Sequence, residues 1–401
     1  MIRDSKQRLF EMMERVAGLP QLSLITEEQL SEVDWEGDFK DVNPASCWNV
    51  EELKEYLNKI LANYSLAPHK RKKPDLIIHN KVIKKDEAGE IDVQEFIDNI
   101  TAQPNEIITG GNAKMLKSAT DDFYTVTIGL PAFKGLVYDI ENKDFKVVST
   151  CPGAGVCVKP CYARKGNFVR LPNIFIKQTR ILNLLMNNPQ KFKEDLKNEI
   201  IGLYRQGKDK EMRFRWNDSG DFFSKKYFKI GLEIMQELKN DNFIVKPYAH
   251  TKVADVYNQN RLPADFSNLS LADIRPDFVV SFSTDAKPSE LGKVNLQGAK
   301  TSEIMFSDFE DLFKRDERGR NFAVDANDKL IFKSPNGEEL LKQRVSKKFG
   351  VPNDETLLMH DEMMKKPEAD KPTYNVIVQS KGETDISTQR PDVLRTFFLV
   401  H

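Results

Sequence analysis

Three cysteines, at positions 151, 157 and 161, fall within eleven residues of one another in the stretch Val147 to Phe168 (VVSTCPGAGVCVKPCYARKGNF). Gly153 and Gly155 loosen the backbone between the first two, and Pro160 fixes it just before the third, so one loop can turn three sulfurs toward a point. The fourth cysteine, Cys47, is remote. Three clustered thiols without a paired framework point to metal or cluster ligation rather than to disulfides. Structural zinc favours four Cys or His ligands in two close pairs. No second pair accompanies these three, and the candidates for a fourth zinc ligand are Cys47, His69, His79 and His250. A 4Fe–4S cluster on three cysteines suits the count better, because it leaves one iron open to a non-protein ligand.

The elements that must position this loop follow from periodicity. GLVYDIENKDFKVVST reads as two strands around Asn142-Lys143, the second running into Cys151. Helices are expected where Ile174, Ile181, Leu182 and Leu185, and then Phe192, Leu196, Ile200 and Leu203, repeat at helical spacing. Met212 to Trp216 is a strand ending in Asn217-Asp218-Ser219-Gly220-Asp221, and Tyr227 to Leu238 is a helix. Phe243 to His250 is a strand closing in Thr251-Lys252, and Pro276 to Ser283 another closing in Thr284-Asp285. Strand and helix in alternation predict an α/β fold with a parallel sheet, as a partial or full (β/α) barrel. Such barrels place their chemistry where the strands end. The cysteines, residues 217–221, residues 250–252 and residues 283–285 would then meet at one mouth.

Within that mouth each residue carries two readings. Asp218 and Asp221 suit a helix N-cap before Phe222 as well as a cofactor contact. His250 suits a packed histidine as well as an acid or base, and Lys252 is the other candidate for catalysis. Arg213 and Arg215 alternate with Phe214 and Trp216, so they hold an anion if they face the mouth and are solvated if they do not. Gly110-Gly111 fits a ligand-approaching turn or an ordinary one.

Around this core, helices are expected at Asp4 to Ala17, at Thr26 to Val33, and after Asn49, where Glu52 completes a capping box ahead of Leu53, Tyr56, Leu57, Ile60 and Leu61. Residues 66–76 (APHKRKKPDLI) read as a basic linker able to meet phosphates. A strand at Ile77 to Ile83 and a helix at Ile91 to Ile100 follow. Toward the end, a strand and helix are expected at 301–314, a hairpin at 321–332, a helix at 338–349 and a strand at 374–378. The division is therefore a mainly helical appendage (1–105), a cysteine-loop α/β domain (106–335) and a C-terminal extension (336–401).

Over 401 residues, 40% hydrophobic content suffices for a core. Lys plus Arg (60) balances Asp plus Glu (61), so bulk charge selects no partner and nucleic acid would have to be met by a local patch such as Lys70 to Lys73. No apolar run is long enough to cross a bilayer, so no membrane partner and a cytoplasmic location are expected.

The motifs GGNAKM, GLPAF, STCPGAGVCVKPCYARKGNF, RFRWNDSGDFF, PYAHTKV and VVSFSTD, in order over about residues 107 to 285, resemble the gene-product-eighty-eight family of phage proteins, which share a CPGA, C, CYA core. More distantly, a strand, a cysteine loop, a helix and a strand ending in an acidic glycine motif resemble the radical S-adenosylmethionine superfamily. The usual loop there is C-x3-C-x2-C with an aromatic before the third cysteine. Here the spacing is C-x5-C-x3-C, and Tyr162 follows the third. That resemblance implies a 4Fe–4S cluster on Cys151, Cys157 and Cys161, with S-adenosylmethionine on the open iron. It also implies cofactor contacts at Ser219, Gly220, Asp221, Ser283 and Asp285, and an electron donor such as a flavodoxin or ferredoxin. A nucleotide or nucleic acid would suit a phage protein in the bacterial cytosol. The alternative is a zinc-binding accessory protein that binds nucleic acid or a host protein and catalyses nothing.

Overall fold

The computed structural model describes residues 39, 42, 44–110, 123–158, 161–207, 210–260, 278–296, 298–305, 308–317, 319, 322–326, 329–369, 373–379 and 385–399. The helices expected at 4–17 and 26–33, and Gly111 and Pro160, lie outside these residues.

Eight strands make one wholly parallel sheet: β2 (Phe123–Thr127), β5 (Glu211–Trp216), β6 (Val245–Thr251), β7 (Val279–Ser283), β8 (Thr301–Ile304), β9 (Leu357–Met359), β10 (Tyr374–Val378) and β11 (Val393–Phe398). Their order is β2-β5-β6-β7-β8-β11-β10-β9, with β2 and β9 at the two edges among the described residues. The expected α/β architecture with a parallel sheet is therefore present. Strands rich in β-branched and aromatic residues, buried on both faces, are what such a sheet demands.

One face is covered by the crossover helices α4 (Pro172–Asn187), α5 (Pro189–Gln206), α6 (Lys225–Asn240) and α7 (Ala254–Gln259), numbered after α1 (Val50–Ser65), α2 (Val93–Thr101) and the single turn α3 (Asn167–Arg170). Met212, Phe214 and Trp216 of β5 point into this layer among Phe192, Leu196 and Ile200 of α5 and Tyr227, Phe228 and Ile234 of α6. Burial of each such side chain contributes roughly 1.5–3 kcal/mol. The intervening Arg213 and Arg215 must face the other way. Both are buried, and the Arg213 guanidinium lies 3.7 Å from the Phe123 ring centre and bonds Glu211 at 2.8 Å. Neither arginine is the solvated residue that one of the two sequence readings allowed.

From β2 to β8 the chain winds across the sheet in one direction, and from β9 to β11 it returns. Right-handed crossovers then place the returning connections on the opposite face. Accordingly α10 (His360–Met364), which follows α8 (Pro288–Leu291) and α9 (Gly337–Phe349), packs Met363 with Leu358, Val376 and Val378. The 3₁₀ turn Asp385–Gln389 packs against β6, β7 and β11. Residues 336–401, set apart in the sequence as an extension, thus supply three strands of the central sheet.

A second, antiparallel sheet has the order β1 (Ser46–Trp48), β4 (Asp144–Ser149), β3 (Lys134–Asp139). Lys143, with φ of 55°, makes the left-handed turn that reverses the chain between β3 and β4. This reversal corrects one expectation: the cysteine loop follows an antiparallel strand and not a strand of the parallel sheet. The sheet packs with α1 and α2 in a separate apolar cluster around Leu53, Leu57, Phe96 and Phe145. The capping box of α1 is present, with Glu52 N–H to Asn49 Oδ1 at 3.0 Å and Asn49 N–H to Glu52 Oε2 at 2.8 Å. The strand expected at 77–83 is instead a 3₁₀ turn at Asn80–Val82, because buried His79 caps it through Nδ1, which accepts the Lys81 N–H at 3.1 Å.

Candidate functional site

The cysteine loop leaves β4 and crosses the C-terminal ends of β6 and β7. Lys287 N–H donates to the Gly153 carbonyl at 2.9 Å, and Ala154 forms an antiparallel bridge with Ala286. Contact is close enough to require glycine. A Cβ on Gly153 would stand 2.0 Å from the Lys252 carbonyl oxygen, and one on Gly155 would stand 2.5 Å from that of Asp285. The end of β5 joins from the other side, where Asp221 N–H donates to the Thr150 carbonyl at 2.8 Å. The four segments expected at one mouth do meet there.

Two aspartates lock the meeting point. Asp221 accepts the Phe222 N–H on Oδ1 at 2.7 Å and the Lys252 N–H on Oδ2 at 2.8 Å, tying the end of β5 to the end of β6. Asp285 accepts the Ile304 N–H at 3.0 Å and ties the end of β7 to the end of β8. Both carboxylates are buried. Neither Asp218 nor Asp221 caps α6, whose N-cap is Ser224, accepting the Tyr227 N–H at 3.1 Å. Gly220 takes φ of 81° and packs against Leu130, and Ser219 Oγ is buried without a hydrogen-bond partner.

Cys151, Cys157 and Cys161 are unpaired and half-buried, and Cys151 Sγ accepts the Phe133 N–H at 3.4 Å. Burial pushes the Cys151 thiol up to about 12, reinforced by Asp221 and opposed by the Phe133 N–H and by Lys252. Burial likewise raises Cys157 against the pull of Lys252. For Lys252, burial alone would lower the amine, but Cys157, Asp221, Cys151 and Asp285 outweigh it and hold it above the ordinary lysine value. Burial raises Asp221 to about 6 in spite of Lys252 and the donors on its oxygens. Asp285 is raised by burial too. One lysine therefore sits among thiols and carboxylates that all feel its charge. Among the described residues, no three His, Cys, Asp or Glu side chains are grouped so as to hold a single metal ion.

Of the four candidates for a fourth ligand, His69 is exposed in the 3₁₀ turn Pro68–Lys70. Cys47 is exposed on β1 opposite Lys146. His79 bonds the Lys81 N–H with one ring nitrogen and lies 3.1 Å from the Arg170 carbonyl with the other. His250 lies below the mouth on the second face of the sheet, its Nδ1 3.1 Å from Ser302 Oγ and its Nε2 3.3 Å from Thr388 Oγ1.

Residues that periodicity alone did not single out complete that second face. Lys300 is buried and donates through Nζ to the carbonyls of Arg390, at 3.0 Å, and Val393. Ser387 Oγ lies 3.0 Å from His360 Nδ1. The alternation of Ser281, Ser283 and Ser302 on neighbouring strands was a readable signal of a polar face. Nothing local in DISTQ marks Thr388 as the partner of a histidine 138 residues earlier.

An eight-stranded parallel α/β sheet with a three-cysteine loop over its strand ends is the class of protein that fold and site define. The family described as gene product 88 matches residues 106–346, and the chain belongs to it. The match extends the motif resemblance seen at about 107–285. No curated protein and no solved structure matches the chain. No helix among the described residues is long and apolar enough to cross a membrane.

Proposed function

We propose that this protein is an iron–sulfur enzyme of radical S-adenosylmethionine type, with Cys151, Cys157 and Cys161 as the ligands of a 4Fe–4S cluster. The observation that carries this reading is the donor set. Three thiols share one loop above the ends of a parallel sheet, while His79 and His250 are held by other partners and Cys47 and His69 are exposed on other segments. A set of three fits a cluster with an open iron better than it fits a structural zinc, which takes four. When bound, such a cluster with S-adenosylmethionine on its open iron supplies one-electron chemistry.

The chain's own residues have definable parts in this reading. Lys252, surrounded by Cys151, Cys157, Asp221 and Asp285, brings a positive charge to a loop whose thiols must ionise to ligate. Asp221 fixes the end of β5 against β6 through two main-chain donors, which makes it a positioning residue, while the unpartnered Ser219 Oγ is the hydroxyl offered to a cofactor. The glycines at 153 and 155 let the loop lie directly on the strand ends.

The test is anaerobic reconstitution with iron and sulfide, followed by absorbance and electron spin resonance with and without S-adenosylmethionine. The expected result is about four irons per chain and a resonance that changes when S-adenosylmethionine is added. Alanine at any of the three cysteines should abolish stable loading. Stoichiometric zinc with no retained cluster would end this reading in favour of the zinc protein.

A further inference from the structure

The near-zero net charge of the chain conceals an uneven distribution. From Phe145 to Lys193 there is no Asp or Glu, against nine Lys and Arg, and the cysteine loop lies in the middle of this stretch. A second acid-free stretch runs from Tyr56 to Pro74 and holds Lys70, Arg71, Lys72 and Lys73 in succession.

The fold joins the two. Arg164, three residues after Cys161, donates to the Pro74 carbonyl at 3.0 Å. His79 reaches the Arg170 carbonyl at 3.1 Å, and Leu76 bridges to Lys134 on β3. Asp75, the carboxylate next to the run, is shared by Arg164 and Lys134, each at 3.6 Å. The run is also built to keep its shape: Arg71 donates to the carbonyls of Leu66 and Tyr64, both at 2.9 Å, and Asn63 pairs with the main chain of Lys72 in both directions at 2.9 Å. Arg71 is thus the brace, leaving Lys70, Lys72 and Lys73 exposed, with Lys165 and Arg170 exposed on the neighbouring segment.

We infer that this surface, formed by residues 69–74 and 164–170 beside the cysteine loop, binds the phosphate backbone of a nucleic acid. A row of closely spaced cations on a braced path matches a polymer with one charge per phosphate, whereas a small anion would use one or two of them. An isolated basic tail would read as solvation. A braced one, tied by main-chain bonds to the loop carrying the thiols, is placed to deliver a strand to that loop. The inference does not depend on what the thiols hold.

Full-length protein, with and without reconstitution, is titrated with a fluorescent twenty-nucleotide single strand and its duplex across a salt series. Neutralising about four phosphates predicts a slope near −3 in log K against log salt, roughly a fifty-fold loss between 50 and 200 mM. Lys70→Ala, Lys72→Ala and Lys73→Ala together, leaving Arg71 in place, should flatten the slope by about 2 with an unchanged melting temperature. Lys54→Ala with Lys59→Ala on α1, cations already paired with Glu51 and Glu55, should change neither. Salt-insensitive binding, or equal binding by the triple variant, overturns the inference. So does capture of an acidic flavodoxin without any oligonucleotide affinity, which would make the patch a protein dock.

Discussion

A methyl group on Gly153 would stand 2.0 Å from the carbonyl oxygen of Lys252, a distance that real Cβ atoms do not tolerate. Because the obstacle is backbone, relief requires the cysteine loop to lift off β6. Gly153→Ala should therefore destabilise the fold by about 1–3 kcal/mol, the range for overpacking, and impair metal loading with every thiol intact. Gly202, inside α5, has nothing within 4 Å of its virtual Cβ, and Gly202→Ala should stabilise by about 0.5–1 kcal/mol through helix propensity alone. Urea unfolding of the two variants beside the parent protein measures both signs. Two changes of the same sign would show that the loop is not seated as described. The same scale explains the double use of aspartate at the strand ends. Asp221 and Asp285 each satisfy a main-chain N–H of the next strand, and a buried N–H left orphaned costs about 1–3 kcal/mol.

At the scale of elements, β8 and β11 are joined by more than their ladder. Lys300, just ahead of β8, reaches across to the carbonyls of Arg390 and Val393. Burial lowers its amine from 10.5 to about 7, with Asp392 and Glu368 offsetting only part of the drop. The folded chain thus holds this proton less tightly than the unfolded chain does. The amine's contribution to stability is greatest above about 10.5, is lost progressively as pH falls to about 7, and is level below, for a total of roughly 5 kcal/mol. Lys300→Met should remove this slope, so from pH 6.5 to 9.5 the unfolding free energy of the parent should rise relative to that of the variant. Parallel curves would place the amine in water. Such features separate what was legible from what was not. The α1 capping box, the hairpin at Asn142-Lys143 and strands β5, β6 and β7 were readable because each is encoded by neighbours in sequence. The convergence of residues 217–221, 252 and 285 followed from strand order, whereas the cysteine loop reaches the same place from β4 of the antiparallel sheet. The contacts of Lys300 with Arg390 and of His250 with Thr388 were not readable, since they depend on the chain reversing direction after β8.

For the whole molecule, that reversal decides which part of the chain can stand alone. The family match ends at residue 346, after β8 and within α9, yet β11 pairs with β8 along Thr301 to Ile304, and β10 and β9 follow it. A chain cut after residue 335 would lose all three strands and leave β8 as a bare edge, a template for association with other copies. It would also uncover the polar second face. His250 would lose Thr388, and Lys300 would lose the carbonyls of Arg390 and Val393 that accept its hydrogens. The apolar side of β8 would be stripped as well, because Met305 and Phe313 pack with Leu341, Val345, Ile377 and Phe397 beyond the cut. Residues 1–335 should therefore aggregate, or melt without a cooperative transition by circular dichroism, and show little slow hydrogen exchange in β7 and β8. A soluble 1–335 fragment melting within a few degrees of the full chain would mean that β2 to β8 form a self-sufficient sheet. Short of that result, the family-matched region and the folding unit are different stretches of this chain, and the residues after 335 complete the sheet whose strand ends carry the cysteine loop.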